Sequence, residues 1–221
     1  MVCTDWLQAT EGLQSKSSIY ADEGTEAHSL LEWSLRLGYA PELLSENEDM
    51  VEAVGHAVDW LHQYLVKNPK AKYRIERRLY FGRVIGYPSL SGTSDISIVA
   101  PSELVVLDYK HGAGVVVEAS TSKQLRLYLL GLIHEFGPRD SYQLVVVQPR
   151  ARHEEGPIRA HSITHDEIKT FAKEAKNAAK ANFEKTGRRK AGDHCRFCSA
   201  APTCRELANF SLSLAIEEFA D

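Results

Sequence analysis

The chain has 221 residues, 43% of them hydrophobic and 25% charged, which is enough for one mixed domain with a sizeable core. Its formal net charge of -4 gives no overall basic field, which argues against a pure DNA-binding module, so any nucleic acid would have to be attracted by local patches. No apolar run reaches membrane-spanning length and the N-terminus lacks a signal-peptide core, so we expect a cytoplasmic protein with no membrane partner.

Two amphipathic helices are predicted in the first third of the chain. One runs from Asp22 to Gly38, and the other covers Met50 to Val66, where apolar residues recur at helical spacing. His28 lies in the first turns of the former helix. A histidine there is more often a surface or capping residue than a ligand, but one imidazole joining two carboxylates would suit Mn²⁺ as well as Mg²⁺.

A strand with basic side chains follows. Tyr73 to Phe81 has strand character, and Arg74, Arg77 and Arg78 are interleaved with its apolar residues. These arginines could contact phosphates, or they could form the solvated side of an edge strand, and the sequence leaves both interpretations open. Gly82 to Gly92 is rich in Gly, Pro and Ser, which predicts a loop that borders a cleft.

The next stretch predicts a β-hairpin. Ser94 to Ala100 and Leu104 to Tyr109 alternate or run apolar, and Pro101-Ser102-Glu103 separates them as a turn. Such a pairing brings the start of the first strand beside the end of the second. The polar residues at those two positions should therefore lie close together.

Three charged side chains are expected to meet there. Side chains two apart on a strand share a face, so Asp108 and Lys110 point the same way and Asp95 can approach both. Oxygen ligands suit Mg²⁺ or Mn²⁺, a bound metal lowers the pKa of its water, and a lysine can orient that water or stabilise the transition state. Asp95 as a turn residue, with Asp108 and Lys110 as a solvated pair, is the alternative. We favour the metal-dependent catalytic site because Asp108 follows a buried apolar run, where a charge needs a partner.

A helix is predicted after the hairpin. Val115 to Val117 could extend the sheet, and Ser120 to Phe136 has the apolar spacing of a helix. Gln124 and Tyr128 are four residues apart and so share one face of it. That face could look into the cleft and contact the substrate or the metal-bound water, or it could simply cover the sheet.

Two further strands and a helix complete the predicted sheet. Tyr142 to Gln148 and Ile158 to Ile163 read as strands, which gives a mixed sheet with helices over it. Thr164 and Glu167 form a capping box before a helix from His165 to about Lys185. Its Ala- and Lys-rich composition predicts a mostly polar, exposed rod whose lysines are a candidate DNA-facing surface, with a solvated face as the default.

The cysteines form a second candidate site. Cys195, Cys198 and Cys204 crowd the C-terminal part, and Cys3 is the only other sulfhydryl in the chain. Four thiolates would bind a [4Fe-4S] cluster or a tetrahedral Zn²⁺, whereas three of them with His194 would make a zinc site. If Cys3 closes the site, the metal joins the two ends of the chain and constrains the unfolded state as a long-loop crosslink would.

At these motifs the sequence resembles the RecB-like branch of the PD-(D/E)XK nuclease superfamily. The similar members are its iron-sulfur proteins, which include AddB and the CRISPR-associated adaptation exonuclease, and a RecB-like family of phages and prophages. The resemblance spans nearly the entire chain through Glu23-Gly24-Thr25-Glu26-Ala27-His28, Gly92-Thr93-Ser94-Asp95, Asp108-Tyr109-Lys110-His111-Gly112, Gln124-x-x-x-Tyr128 and the cysteines. Many relatives have Glu where this chain has Asp108, which keeps the carboxylate but shortens its reach.

The resemblance implies roles for the residues of the central site. His28, Asp95, Asp108 and the backbone carbonyl of Tyr109 would ligate Mn²⁺ or Mg²⁺, and Lys110 would position or activate the attacking water. Gln124 and Tyr128 would match the family's further motif beside the site. The four cysteines, Cys3, Cys195, Cys198 and Cys204, would bind a mainly structural [4Fe-4S] cluster.

The resemblance also implies a fold and a function. We expect an α/β PD-(D/E)XK, restriction-endonuclease-like core as a single domain over 1–221: a helical part (23–68), a catalytic sheet and helix (72–163), and a C-terminal helix with the cysteine segment (164–221). It would be a phage- or prophage-encoded DNA exonuclease preferring single strands, cytoplasmic in the bacterial host, and an oligomer is compatible with the sequence. The alternative is a non-catalytic DNA-binding, recombination-accessory or anti-defence protein on the same fold.

Overall fold

The computed structural model of the protein describes residues 3–13 and 19–218. Its α-helices are α1 (Trp6–Ala9), α2 (Ile19–Leu37), α3 (Glu48–Lys67), α4 (Gly82–Ile85), α5 (Lys123–Phe136), α6 (His165–Phe183) and α7 (Arg205–Glu218). Its strands are β1 (Lys72–Leu79), β2 (Gly92–Val99), β3 (Glu103–Tyr109), β4 (Ser141–Val147) and β5 (Ile158–Ser162). Short 3₁₀ helices lie at Pro41–Leu43, Asp193–Phe197 and Ala201–Thr203.

The chain divides into two compact units. One comprises Ser17–Ala172 and contains the whole sheet, and the other comprises Met1–Lys16 together with Lys173–Asp221. The second unit therefore combines segments from the beginning and from the last quarter of the chain. That the chain is a single domain stays a prediction.

The five strands form one mixed sheet in the order β1-β2-β3-β4-β5. β1 pairs antiparallel with β2, β2 with β3, and β4 with β5, whereas β3 and β4 run parallel. The predicted hairpin is confirmed as β2 and β3, and its turn is closed by the Ala100 N–H donating to the Glu103 carbonyl at 2.9 Å. The parallel pair needs a crossover, which α5 provides. The protein is thus a mixed α/β structure with helices flanking a five-stranded sheet.

The central strands are apolar on both faces because helices cover both. Val105, Leu107 and Tyr109 of β3 belong to one core cluster with residues of α2 and α3. The alternate residues Leu104 and Val106 are fully buried as well, and α5 packs against β2, β3 and β4. A strand buried on both sides reads as a continuous apolar run rather than an alternating one. Any charged group at the end of β3 is consequently held next to the core.

Two sequence-based expectations for loops and strands were wrong. Val115 to Val117 does not extend the sheet, because the buried Gln148 side chain takes over its backbone hydrogen bonds. The amide of Gln148 donates to the carbonyls of Gly112 and Val115, both at 2.8 Å, and its oxygen accepts from the Val117 N–H at 3.0 Å. The segment after β1 is also not all loop, since it contains the short helix α4.

Helix α6 differs in one respect from its prediction. The capping box is present, because the Glu167 N–H donates to Thr164 Oγ1 while Glu167 Oε2 accepts from the Thr164 N–H. Most of its residues are exposed, as predicted, but one side of the helix is buried. Ile168, Phe171 and Ala175 are buried and follow one another at helical spacing along one side. The lysines occupy the exposed remainder. No helix in the described ranges is long and apolar enough to cross a membrane.

The Gln148 contacts predict a cost for removing them. Arg159 is 1% exposed, and its guanidinium donates to Gln148 Oε1 at 2.7 Å. In Gln148→Leu, this guanidinium and the loop carbonyls lose their buried hydrogen-bond partner. We expect the free energy of unfolding to fall by about 2 to 4 kcal/mol, or roughly 5 to 15 °C in thermal midpoint. Gln143→Leu on the same strand is the matched control. Equal midpoints for the two variants would contradict this role of Gln148.

Candidate metal site

Two carboxylates lie side by side where β2 begins and β3 ends. The ladder between these strands ends at the pair Ile96 and Leu107, and the next position of the same register places Asp95 beside Asp108. Both are buried, at 9% and 2% exposure. The hairpin therefore brings the two aspartates together, as the sequence led us to expect.

Asp95 is held by groups from two different elements. Its Oδ2 accepts a hydrogen bond from the backbone N–H of Tyr109 at 2.7 Å, and its Oδ1 lies 3.5 Å from Nδ1 of His28 on α2. Burial lowers the pKa of His28, which leaves a neutral imidazole near pH 7. A neutral ring nitrogen is the form that binds a metal ion.

The protonation of Asp95 reflects its surroundings. Burial and, after it, the charge of Asp108 raise the pKa of Asp95 to about 8, although the Tyr109 N–H and Lys110 oppose the shift. A carboxylate in this position is charged near neutral pH only if more positive charge is present. A divalent cation would supply that charge.

Lys110 contacts the second carboxylate. Its Nζ lies 2.8 Å from Asp108 Oδ2, yet that buried oxygen accepts no hydrogen bond of normal geometry from the residues described. Burial disfavours the charged lysine, but the negative charges of Asp108 and Asp95 outweigh it, so the pKa of Lys110 is raised. Lys110 is therefore a cation at the site, and Asp108 keeps an oxygen with capacity for a further partner.

Gln124 and Tyr128 continue this chain of contacts on α5. Lys110 Nζ donates to Gln124 Oε1 at 3.3 Å, and Gln124 Nε2 donates to the Tyr128 hydroxyl at 3.1 Å. Gly92 makes room for the phenol, since a Cβ there would lie 2.6 Å from Tyr128 Cε1. The shared face of α5 thus looks toward the site rather than only covering the sheet.

Glu76 is a member of the site that sequence reasoning missed. One ligand atom each from His28, Glu76 and Asp95 lies within 4.8 Å of the others, and in the described ranges this is the one such set of three histidine, cysteine or acidic residues. Glu76 is on β1, and the ladder pairs on either side of it place it opposite Asp95 of β2. Its φ of 48° is in the left-handed region, which is unusual for a non-glycine residue within a strand and costs roughly 1 kcal/mol or more.

These donors fit a hard divalent cation. One imidazole nitrogen and the oxygens of Glu76 and Asp95 come from three elements, and they line an open cavity of about 530 Å³ that Lys110 also borders. Asp108 lies outside the 4.8 Å set but adjoins Asp95. Tyr109 contributes its N–H to Asp95, and its carbonyl stays a predicted ligand.

A hydrogen-bonded network supports the end of β3 from behind. The buried Tyr109 hydroxyl lies 2.9 Å from Nδ1 of His111, whose Nε2 lies 3.5 Å from Glu23 Oε1. Arg150 donates to the same Glu23 oxygen at 2.8 Å. Because the Glu23 carboxylate can only accept, we place the imidazole proton of His111 on Nε2. The Tyr109 hydroxyl then donates to Nδ1. This network ties α2, which carries His28, to the strand that carries Asp108.

The cysteines lie together in the unit formed by the chain ends. Cys3 is next to Thr4, whose N–H donates to the Arg188 carbonyl at 3.0 Å. Arg189 pairs with Asp5 at 2.7 Å; the hydrogen bond and charge of Asp5, and then the nearby thiols of Cys204 and Cys3, raise its pKa. The N-terminal segment is therefore docked where its cysteine approaches the C-terminal ones.

The cysteine geometry bears on which group fits. Cys195 lies within the first C-terminal 3₁₀ turn, and Cys198 and Cys204 directly follow the first and the second. All four cysteines are half-buried free thiols. Zinc–sulfur bonds of 2.3 Å in a tetrahedron put sulfurs about 3.8 Å apart, but no three cysteine or histidine donors of this segment, within the described residues, lie within 4.8 Å of one another. His194 Nε2 does lie 3.7 Å from Cys195 Sγ.

The fold and the site define a mixed α/β protein with a candidate divalent-cation centre and a separate cysteine segment. The chain belongs to the DUF2800 family, described as a protein of unknown function, whose family model matches residues 1–221. Among solved structures, the chain is similar to one described as the crystal structure of SSO0001, with a TM-score of 0.37 and 13% sequence identity. That match covers 91% of this chain and 93% of the other.

The raised pKa of Asp95 predicts a stability that depends on pH. Because its folded pKa of about 8 lies above its ordinary value of 3.8, ionising Asp95 destabilises the metal-free fold as pH rises from about 4 to 8. Asp95→Asn keeps an acceptor for the Tyr109 N–H but carries no charge. In EDTA at pH 8 we expect the free energy of unfolding of this variant to exceed that of the parent by about 1 kcal/mol or more, or roughly 2 to 4 °C in thermal midpoint. At pH 4 we expect no difference.

Asp59→Asn, at an exposed position of α3, is the matched control and should shift the midpoint little at either pH. An Asp95→Asn variant that is less stable than the parent by the same amount at both values would show that Asp95 is an ordinary hydrogen-bonded carboxylate.

Proposed function

We propose that the protein is a metal-dependent DNA nuclease built on a RecB-like PD-(D/E)XK core. The observation that carries the proposal is the convergence of His28, Asp95 and Lys110 at one open cavity, where the buried Asp108 contacts Lys110 and adjoins Asp95. Two adjoining carboxylates, a lysine and a neutral imidazole supply metal ligands and a cation for a phosphate in one place. The order of these residues along the chain, which resembles the RecB-like motifs, supports the same reading.

His28, Asp95 and Asp108 would hold Mn²⁺ or Mg²⁺, with the Tyr109 carbonyl as the resemblance implies. Glu76 would join them, because its ligand atom lies within 4.8 Å of those of His28 and Asp95. When bound, the cation lowers the pKa of a coordinated water and neutralises charge on a phosphate oxygen. The Tyr109 N–H keeps Asp95 oriented toward it.

Lys110 would act as a fixed cation rather than as a general base. Its raised pKa keeps it protonated near neutral pH, so it can donate hydrogen bonds to the attacking water or to a phosphate oxygen. Gln124 and Tyr128 hold its side chain from α5. Water attacks phosphorus and the phosphodiester bond breaks. The preference for single-stranded DNA and for exonucleolytic cleavage rests on the resemblance.

Removing either charged group should abolish cleavage while the fold is kept. We expect Asp108→Asn and Lys110→Met each to lower the rate on labelled single-stranded DNA in Mn²⁺ by 100-fold or more. Glu76→Gln should raise the Mn²⁺ concentration needed for half-maximal rate. Lys123→Met, at an exposed position on α5, is the matched control for Lys110.

Thermal midpoints near that of the parent establish that the variants are folded. Full activity in Asp108→Asn or Lys110→Met would refute the site. If the parent protein shifts DNA without shortening it, the protein is a non-catalytic binding or accessory protein.

We further propose that the four cysteines bind a [4Fe-4S] cluster with a mainly structural role. The docking of Cys3 by the Thr4 and Asp5 contacts, in the same compact unit as the other three thiols, supports this. The cluster would then join the two chain ends and stabilise the fold by constraining the unfolded chain.

Protein purified without oxygen should be brown, with about four iron and four sulfide per chain. Cys198→Ser should lose the colour and lower the thermal midpoint, whereas the neighbouring Ser199→Ala should retain both. A colourless protein that contains one zinc ion per chain would contradict the cluster.

A further inference from the structure

A concave basic surface lies where the edge strand β1 ends. This surface, which we call the arginine groove, has a volume of about 320 Å³. It is lined by Arg77, Arg78, Tyr80, Arg83, Gly131, His134 and Glu135, the last of which pairs with Arg77. Gly131 of α5 lets the helix approach β1 closely, since a Cβ there would lie 2.9 Å from Leu79 Cβ. The groove is therefore built by close packing of β1, α4 and α5.

Two of its arginines have no acidic partner. Arg78 is exposed and donates to the neutral hydroxyl of Ser91 at 3.1 Å, and Arg83 is exposed and lies over a tyrosine ring. Within the part of the chain that the structure describes, neither has a carboxylate within 4 Å. Arg77, by contrast, pairs with Glu135. Two uncompensated positive charges in a concavity, on a chain with net charge -4, make a local site for phosphate.

Tyr80 gives the groove an aromatic platform. Its side chain is 44% exposed although it is large and partly apolar. The guanidinium of Arg83 lies 5.2 Å from its ring centroid, which fixes the orientation of both groups. An exposed aromatic ring flanked by arginines is the combination that binds single-stranded nucleic acid, because a base stacks on the ring while the cations contact the backbone. A base is free to stack in this way only when its strand is unpaired.

The arginine groove and the metal site are separate cavities that both include residues of β1. Arg78 follows Glu76 by two residues on β1, a separation of about 7 Å at the rise of a strand. Across the ladder, Arg78 pairs with Thr93, two residues before Asp95. Along β1, Arg78 therefore lies about one to two nucleotide lengths from the candidate metal ligand Glu76.

We propose that the arginine groove binds the single DNA strand that is delivered to the metal site, with a base stacked on Tyr80 and phosphates contacted by Arg78 and Arg83. This inference rests on the proposed nuclease function for its substrate, but binding in the groove is separable from cleavage. Of the basic residues of β1, it assigns phosphate contact to Arg78, whereas Arg77 pairs with Glu135.

Fluorescence anisotropy with labelled (dT)12 in EDTA measures binding without cleavage. We expect Arg78→Gln/Arg83→Gln to raise Kd about 10-fold or more and to reduce the dependence of log Kd on log salt by about one to two charges. Tyr80→Ala should raise Kd about 5- to 100-fold, and Tyr80→Phe, which keeps the ring, should bind like the parent. Lys169→Gln/Lys176→Gln removes the same charge from the exposed side of α6 and should change Kd less than twofold.

Parent-like binding by the double arginine variant, tighter binding of a duplex of equal length, or binding of (U)12 in place of (dT)12 would overturn the assignment. Hydrolysis of bis(p-nitrophenyl) phosphate in Mn²⁺ separates this from the proposed function, because so small a diester does not reach the groove. Groove variants should cleave it as the parent does while losing rate on DNA. If the parent cleaves neither substrate but the binding results hold, the nuclease proposal fails and the groove stands.

Discussion

The carboxylates of Asp95 and Asp108 are held side by side where little water reaches them, and their mutual repulsion shapes the rest of the site. The hairpin enforces the approach, since both residues continue the register of two buried strands. Burial and like charge together raise the pKa of Asp95. Lys110 offsets part of the repulsion. Positive charge is still lacking at this position, and a divalent cation would supply it. In the metal-free fold, the close approach of the two carboxylates lowers stability.

The surroundings hold this arrangement in place rather than relieve it. The Tyr109 N–H donates to the side chain of Asp95 on β2, and the His111 and Glu23 contacts fix the end of β3 against α2. Glu76 adopts a left-handed conformation that a strand residue rarely takes. Backbone strain and buried like charges both lower stability. Where they occur together at one cavity, they indicate a functional site.

Much of the sheet could be predicted because its pattern is local. The alternation and the turn residues of the hairpin define β2 and β3, and the helix from Lys123 follows from its apolar spacing. Glu76 could not be found in this way, because its place depends on a positive φ and on a partner across the ladder. Val115 to Val117 reads as a strand in sequence, yet a single distant side chain, Gln148, satisfies its backbone instead. The buried side of α6 was likewise hidden by its Ala- and Lys-rich composition.

Anomalous diffraction from crystals grown with Mn²⁺ would test directly whether a divalent cation binds between these carboxylates. The charge balance described above predicts one manganese peak at bonding distance from the imidazole of His28 and a carboxylate oxygen of Asp95, with Glu76 or Asp108 completing the protein ligands. Data from Asp95→Asn crystals should lack it or show it at much lower occupancy. Absence of any peak between these side chains in the parent protein, at Mn²⁺ concentrations that saturate its solution properties, would show that the paired carboxylates serve another purpose.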